Sequence, residues 1–239
     1  MAQPLYKRVL LKLSGEALMG EHEYGISTDM LVYLAKEIRA ITDLGVQVGM
    51  VVGAGNIFRG VAGASGGMNR SAADNMGMLA TMLNSLALKE ALEKESIPTE
   101  VLSAIDMPSV CETYSHFTAR KYLDRGVAVI FGAGTGNPFF TTDTAGVLRG
   151  LEIDAEIVCK ATKVDGVFDK DPMQHDDAVK FDELTFSDVL QKRLKVMDAA
   201  AISLAMDNNK KILVFDLNIP GNIKNAICGA KVGTVIKGD

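Results

Sequence analysis

The chain has 239 residues, of which 48% are hydrophobic and 23% are charged, with a formal net charge of −5. This length and apolar content fit one large domain or two closely packed lobes and exclude a globally disordered chain. The 25 lysines and arginines are scattered rather than grouped in a basic stripe, which disfavours a nucleic-acid-binding protein.

The cysteines and the apolar stretches indicate the cellular compartment of the protein. The three cysteines lie far apart and form no Cys-x-x-Cys pair, which fits a reducing compartment and argues against a disulfide framework or a zinc site. The longest apolar stretch, residues 76–88, contains Asn84 and Ser85 and is shorter than the roughly 20 residues that cross a bilayer. We therefore expect a cytoplasmic protein with neither membrane nor nucleic acid among its partners.

Short β-rich runs alternate with helical periodicities along the chain. The predicted strands are 8–13, 46–52, 100–102, 127–131, 156–160, 212–217 and 233–237. The predicted helices are 27–45, 71–94, 118–124, 143–150 and a mostly helical stretch at 187–209. Because alternating strands and helices form parallel sheets covered on both faces, we predict an α/β fold. The expected architecture is a three-layer αβα sandwich with a mainly parallel central sheet, in one domain.

Ligands of open α/β sheets bind beyond the carboxyl ends of the strands, so the strand-to-helix loops are expected to carry the function. The first loop is Lys12-Leu13-Ser14-Gly15, which offers an ammonium group and small residues where backbone amides can approach phosphates. Lys12 interrupts an otherwise apolar strand. The alternative is a lysine that reaches solvent from the strand end.

The second loop is Gly53-Ala54-Gly55-Asn56, with Arg59 close behind it. Its glycines permit close approach of the backbone to a ligand, and Arg59 would add a planar cationic fork for phosphate oxygens. An ordinary tight turn would explain the same glycines. Asp74, near the start of the next helix, either accepts hydrogen bonds from ribose hydroxyls or offsets the helix dipole.

The third loop, residues 132–143, combines three glycines, several hydroxyl and amide side chains and two phenylalanines before a helix N-terminus. The hydroxyls and free helical amides suit an anion. Phe139 or Phe140 would flank a base, unless both belong to the core. Asp143 would repel a phosphate unless it holds a lysine or a magnesium ion, and this conflict points to a catalytic role.

Two later segments add charged side chains. Asp165-Gly166 between apolar residues predicts a hairpin turn, but a turn does not account for Asp169 and Asp171 nearby. Lys195 and Asp198 fall close to another helix start, although solvent exposure is the usual state of such charges.

Three familiar nucleotide-binding patterns are missing from the sequence. It contains no Gly-x-x-x-x-Gly-Lys-Ser/Thr, and neither Gly53 nor Gly132 begins a Gly-x-Gly-x-x-Gly match. It also lacks the His-Arg-Asp and Asp-Phe-Gly motifs of protein kinases. The residues therefore favour a phosphate-binding site without a P-loop.

In this order and spacing, the motifs resemble the amino acid kinase superfamily and, within it, the bacterial uridylate kinases, from about Tyr6 to Ile236. The most specific stretches are 12–18, 134–143 and 160–167, supported by Arg59-Gly60, Met76-Gly77-Met78-Leu79 and Lys195-Val196-Met197-Asp198. The resemblance implies transfer of the γ-phosphoryl group of ATP to UMP in pyrimidine nucleotide synthesis, with Mg²⁺ carried by ATP and no metal site of the protein's own. It also implies a homohexamer with UTP as feedback inhibitor and GTP as a possible activator.

The resemblance further implies roles for individual residues. The implied ATP-binding residues are Lys12, Leu13, Ser14, Gly15, Gly55, Arg59, Thr162, Phe168 and Asp171. The implied UMP-binding residues are Ala54, Asp74, Thr135, Gly136, Asn137, Pro138, Phe139, Phe140, Thr141 and Thr142. The expected catalytic residues are Lys12, Asp143, Lys163, Lys195 and Asp198, with Lys163 and Lys195 unranked as the second cation. The segment associated with GTP is Gly20, Glu21, His22, Glu23, Tyr24 and Gly25. Roughly, residues 1–150 would bind the acceptor and residues 151–239 would bind ATP.

Two residues depart from the family pattern, and two alternative functions remain. Ala54 replaces a glycine common in its loop, so its backbone contact requires a negative φ, and Phe168 stands where many relatives carry tyrosine. One alternative is a relative that phosphorylates a carboxylate or carbamate. The other is a non-catalytic protein of the same fold that stores oxyanions or regulates.

Overall fold

The computed structural model of the protein describes residues 3–58 and 67–238. In chain order its strands are β1 (Arg8–Leu13), β2 (Gln47–Val52), β3 (Thr99–Ser103), β4 (Glu112–Thr113), β5 (Ala128–Gly132), β6 (Ile157–Thr162), β7 (Val167–Phe168), β8 (Lys180–Phe181), β9 (Glu183–Thr185), β10 (Ile212–Asp216) and β11 (Thr234–Lys237). Its α-helices are α1 (Thr28–Thr42), α2 (Arg70–Lys94), α3 (His116–Asp124), α4 (Thr142–Glu152), α5 (Phe186–Gln191), α6 (Ala199–Asp207) and α7 (Asn222–Ile227). A 3₁₀ turn at Gly15–Leu18 follows β1.

The central sheet has the strand order β4-β3-β5-β2-β1-β6-β10-β11-β9, and β7 pairs with β8 in a separate ribbon. Neighbouring strands of the central sheet are parallel, except that β11 runs antiparallel to β10. The strands that follow β1 in the first half of the chain, β2 to β5, lie on one side of it in the sheet. The strands of the second half, β6 and β9 to β11, lie on the other side. The order therefore reverses between β1 and β6, and a crevice beyond the carboxyl ends of these two strands is the expected ligand site.

The two faces of the sheet bury separate apolar clusters. Val9, Leu11 and Leu13 of β1 pack on one face with α1, α2 and α7, whereas Leu10 packs on the other face with α3 to α6. Because side chains alternate along a strand, Lys12 lies on the same face as Leu10. The model thereby confirms the predicted three-layer α/β fold with its mainly parallel sheet.

The stretch 187–209 is mostly helical, as predicted, and contains two helices, α5 and α6, separated by the non-helical residues 192–198, where Arg193 has a φ of +50°. One local prediction was wrong. Asp165-Gly166 is not a hairpin turn, because it precedes β7, which pairs with β8 across residues 169–179. Distant residues fix this geometry: the Thr234 hydroxyl accepts from the Val167 amide at 2.8 Å and lies where a Cβ on Gly166 would be.

Among the helices within residues 3–58 and 67–238, none is long and apolar enough to cross a membrane.

Candidate active site

Three charged side chains meet at the point where the strand order reverses. Lys12 comes from β1, Lys160 from the neighbouring β6, and Asp143 from the first turn of α4. The Lys12 ammonium lies 2.7 Å from Asp143 Oδ1, and the Lys160 ammonium lies 2.8 Å from Oδ2. The three side chains are only 10%, 16% and 14% exposed, in the order Lys12, Lys160, Asp143. Two cations around one anion leave a positive excess that suits a phosphate.

Burial and charge oppose each other in this cluster. Burial would raise the pKa of Asp143, but the charges of Lys12 and Lys160 outweigh it and hold that pKa below its ordinary value. Burial lowers the pKa of Lys160, and the attraction of Asp143 offsets only part of that effect. Asp143 is therefore an anion at neutral pH and holds the two lysines together rather than acting as a base.

Lys160 begins the motif at 160–167 but was not among the predicted site residues. Besides Asp143, its ammonium contacts the carbonyl oxygen of Val196. Of the two lysines that were named, Lys195 is exposed at the mouth of a cavity, and Lys163 is exposed and lines neither cavity described below. A signal for Lys160 was present, because it interrupts an apolar strand in the same way as Lys12, its register partner on β1.

Asp198 ties the start of α4 to the start of α6. Its carboxylate accepts hydrogen bonds from the hydroxyls of Thr141 and Thr144, at 2.9 Å for Thr144, and from the Ala201 amide at 3.0 Å. Thr141 in turn caps α4 by accepting from the Asp143 amide at 3.0 Å. Asp198 thus fixes the helix turn that carries Asp143.

A cavity of about 590 Å³ opens on the Lys160 side of the cluster. Its lining includes Thr162, Phe168 and Asp171, which were expected to bind ATP, and also Lys195. Further cationic or titratable groups that the sequence analysis did not name are Lys170, His175, Lys192 and Arg193.

A second cavity, of about 170 Å³, lies between the start of α2 and the loop that leads into α4. The residues that were expected to bind UMP and that line it are Ala54, Asp74, Thr135, Asn137, Phe140, Thr141 and Thr142. Gly136, Pro138 and Phe139 belong to the same loop but do not line the cavity. Ala54 has no positive φ, so its backbone is free of the strain that would have made the replacement of glycine costly.

Asp74 holds the loop that walls the smaller cavity. One of its oxygens accepts from the Phe139 amide and from the Arg70 guanidinium, each at 2.8 Å. Phe139 has a φ of +72°, which a bulky residue adopts only when its surroundings impose it. Phe139 and Phe140 are 66% and 52% exposed, so the alternative that both belong to the core is wrong.

The first two glycine loops touch each other. A Cβ on Gly15 would lie 2.6 Å from the Gly53 carbonyl oxygen, and a Cβ on Gly53 would lie 3.0 Å from the Gly15 nitrogen. The Gly53 amide donates to the Leu13 carbonyl at 2.9 Å. This contact, rather than an isolated tight turn, is the reason why both positions are glycine. Arg59 lies outside the described residues.

The segment from Gly20 to Gly25 lies beside these loops. Residues 20–24 are exposed, whereas Gly25 is half-buried and exchanges two hydrogen bonds with Asn56, one through the Asn56 backbone and one through its side chain, both at 2.9 Å. The segment therefore contacts the second glycine loop directly.

Comparison with known proteins agrees with this geometry. The model of the amino acid kinase family matches residues 7–216. The chain is 55% identical over 231 residues to a uridylate kinase of Chromohalobacter salexigens, covering 97% of this chain and 91% of that protein.

Solved structures agree as well. A UMP kinase from Bacillus anthracis is 40% identical with a TM-score of 0.94, covering 98% of this chain and 97% of that one. A UMP kinase from Ureaplasma parvum is 36% identical with a TM-score of 0.91, covering 99% and 100%. A uridylate kinase from Archaeoglobus fulgidus is 29% identical with a TM-score of 0.74, covering 95% and 99%. The chain belongs to the amino acid kinase family and, within it, to the uridylate kinases.

Proposed function

We infer that the protein transfers the γ-phosphoryl group of ATP to UMP, giving ADP and UDP, as a step of pyrimidine nucleotide synthesis. The observation that carries this inference is the buried Lys12–Asp143–Lys160 cluster, because Lys160 lines the larger cavity and Thr142, next to Asp143, lines the smaller one. The uridylate kinases and UMP kinases that the chain resembles support the choice of acceptor.

The larger cavity is assigned to ATP and the smaller one to UMP. Thr162, Phe168 and Asp171 would surround the adenosine, and Lys195 would approach the phosphates from the cavity mouth. The hydroxyl-rich loop at 135–142 would wrap UMP, with Asp74 accepting from the ribose hydroxyls. In this assignment residues 1–150 supply most of the acceptor site and residues 151–239 most of the ATP site.

The cluster suits the electrostatic demands of phosphoryl transfer. Both substrates are polyanions, so the reaction needs positioning and neutralisation of charge more than covalent chemistry. A nucleotide monophosphate has a second pKa of about 6 and is largely ionised at neutral pH, so no strong general base is required. Lys12 and Lys160 would contact the transferred group in a site where burial strengthens their charge. Asp143 would keep the two ammonium groups in place.

The side chains around the cluster fit a magnesium ion that arrives with ATP. Within residues 3–58 and 67–238, no three His, Cys, Asp or Glu side chains are grouped so that they could hold a metal ion. Asp143 is committed to two lysines, and Asp198 to two hydroxyls and an amide. Mg²⁺ is commonly held by substrate phosphates with few protein ligands, so we expect the ATP phosphates to hold it. When bound, it neutralises charge on those phosphates.

An assay of ADP release tests the proposed function. The protein would be supplied with ATP, Mg²⁺ and, separately, UMP, CMP, dTMP, glutamate and aspartate. The exposed Phe139 and Phe140 at the acceptor loop favour a nucleotide, and we expect the fastest turnover with UMP. Preference for an amino acid would indicate a carboxylate kinase. No turnover with any acceptor, from protein shown to be folded, would favour the storage or regulatory alternative.

Self-association is part of the proposal. Met76, Leu79, Leu83 and Leu86 recur at helical spacing on α2, and all four are exposed. A contiguous apolar stripe of this kind is typical of an interface and supports the homohexamer that the family resemblance implies. Light scattering coupled to size-exclusion chromatography would give the mass, and Leu83→Glu is expected to lower it.

The proposal also covers regulation by nucleotides and the cellular location. UTP is expected to inhibit by feedback, and GTP is a possible activator that would act through the segment 20–25, which contacts the second glycine loop. Cys111, Cys159 and Cys228 are all free thiols, which supports a reducing, cytoplasmic location.

A further inference from the structure

Two amide side chains face each other in the apolar interior between α2 and the second glycine loop. Asn84 of α2 is 0% exposed and Asn56 of the loop is 1% exposed. Asn56 Nδ2 donates to Asn84 Oδ1 at 2.9 Å, and Asn84 Nδ2 donates to Asn56 Oδ1 at 2.7 Å. Burying two amides is costly unless their polar atoms are paired, so this reciprocal pair demands an explanation beyond packing.

The remaining hydrogen bonds of the pair go to loops and not to the helix. Asn84 Nδ2 also donates to the Gly53 carbonyl at 2.7 Å, and Asn56 Nδ2 to the Gly25 carbonyl at 2.9 Å. Asn56 also supports the first glycine loop, because a Cβ on Gly15 would lie only 2.7 Å from its Oδ1. The amide pair therefore holds the second loop at both ends and lies directly against the first.

The bond from Asn84 to Gly53 fixes the orientation of a peptide group at the active site. In a planar trans peptide the carbonyl and the next N–H point in opposite directions. With the Gly53 carbonyl turned to Asn84, the Ala54 N–H is directed away from α2, and Ala54 lines the smaller cavity. Gly53 also adjoins the start of α4, since a Cβ on it would lie 3.5 Å from Thr142 Oγ1.

We propose that Asn84 is a positioning residue for the transfer reaction. Through the Gly53 carbonyl and Asn56 it sets the orientation of the Gly53–Ala54 peptide and the spacing of the two glycine loops between the donor and acceptor cavities. Asn84 itself is wholly buried and acts only through these loops. The inference rests on the proposed function, since it assigns those loops to the two phosphates.

The next residue of the helix offers a matched control. Ser85 is also wholly buried, but its hydroxyl donates to the Thr81 carbonyl at 2.8 Å within α2. Ser85→Ala removes a buried hydrogen bond without touching either loop, whereas Asn84→Ala removes the bond to Gly53. We expect Asn84→Ala to lower kcat per folded enzyme about 100-fold at saturating ATP and UMP, the scale of a small displacement of reacting groups. Ser85→Ala should keep a kcat close to that of the wild type.

A merely structural role would lower the midpoint of thermal unfolding in both variants and leave kcat per folded molecule unchanged. Equal kcat values for Asn84→Ala and Ser85→Ala would therefore overturn the proposal while leaving the kinase function intact. If Asn84→Ala does not fold, Asn56→Ala, which breaks the same pair from the loop side, should show the same loss of kcat, and a normal kcat there would overturn it. An inactive wild type would instead reject the proposed function, and this inference with it.

Discussion

The acceptor loop (residues 134–142) and the donor-side loop (residues 163–179) are anchored by different kinds of contact. The acceptor loop is held by side chains of α2 and α4 and by Asp198, the residue that caps the start of α6. Arg149 Nη2 donates to the Gly134 carbonyl at 3.2 Å, Asp74 accepts from the Phe139 amide at 2.8 Å, and Asp198 accepts from Thr141. Just before this loop, the Ala133 amide donates to the buried Thr81 hydroxyl at 2.9 Å.

Apart from the bond of the Val167 amide to the buried Thr234, the donor-side loop is held by contacts at the surface, among them two ion pairs. Lys170 pairs with Asp177 at 2.5 Å, and Lys180 on β8 pairs with Asp165 at 2.8 Å. All four of these side chains are between 31% and 79% exposed. Exposed pairs contribute little because solvent and salt screen them. In the proposed assignment of the two cavities, these contacts shape the acceptor site before UMP binds, whereas the donor site relies more on contacts made by ATP itself.

The largest effect is expected where the two regions meet. Lys12→Ala should lower kcat at least about 100-fold, the scale seen when a preorganised electrostatic donor is removed. Lys160→Ala should lower it by a similar factor, because both lysines contact Asp143 from opposite sides. Steady-state kinetics of UDP formation would measure both variants. Lys121→Ala, which changes an exposed lysine of α3 outside both cavities, is the control and should keep a normal kcat. A near-normal kcat for Lys12→Ala would exclude Lys12 from the mechanism.

The second effect tests the buried anchor of the acceptor loop. Arg149 is 5% exposed, pairs with Glu152 at 2.7 Å and stacks on the Tyr114 ring at 3.8 Å. Arg149→Met leaves the Gly134 carbonyl without this donor and should raise KM for UMP about tenfold, while KM for ATP stays close to that of the wild type. Because Arg149 is buried but its partner Glu152 is 30% exposed, the substitution should also lower the free energy of unfolding by about 2 kcal/mol, measured by urea titration.

Arg120 supplies the control for this variant. It also contacts Glu152, through the carbonyl oxygen at 2.7 Å, but its partner Asp154 is exposed. Arg120→Met is therefore expected to leave KM for UMP unchanged. An equal rise of both KM values in Arg149→Met would contradict a specific link to the acceptor loop.

The third effect concerns Asp74. The sequence offered two roles for this residue, binding of the ribose hydroxyls or stabilisation of the helix dipole. Its carboxylate accepts from the Phe139 amide and from Arg70, so it both shapes the loop and faces the cavity. Asp74→Asn should weaken UMP binding severalfold and leave ATP binding unchanged in separate calorimetric titrations. A selective loss of ATP affinity would refute the assignment of the smaller cavity to UMP.

The sequence predicted most of the fold and named loops that lie close together in the structure, but not the side-chain contacts that join these loops. Alternating patterns located the strands and helices, and the glycine loops located Lys12 and Asp143. Lys160 was missed because its significance depends on its register beside Lys12 across two strands distant in sequence. Arg149 carried a visible i,i+3 signal with Glu152, but its link to Gly134 arises only when α4 folds back along the loop.

The smallest effect is expected for an ion pair of the donor side. Lys180→Met retains the alkyl chain and removes only the charge that faces Asp165. Because both partners are about a third or more exposed, the free energy of unfolding should change by less than about 1 kcal/mol, and the change should vanish in high salt. Urea titrations at low and high ionic strength would measure this difference. If Lys180→Met lowered the free energy of unfolding as much as Arg149→Met does, and independently of salt, the acceptor loop and the donor-side loop would be anchored in the same way. That result would contradict the difference described between them.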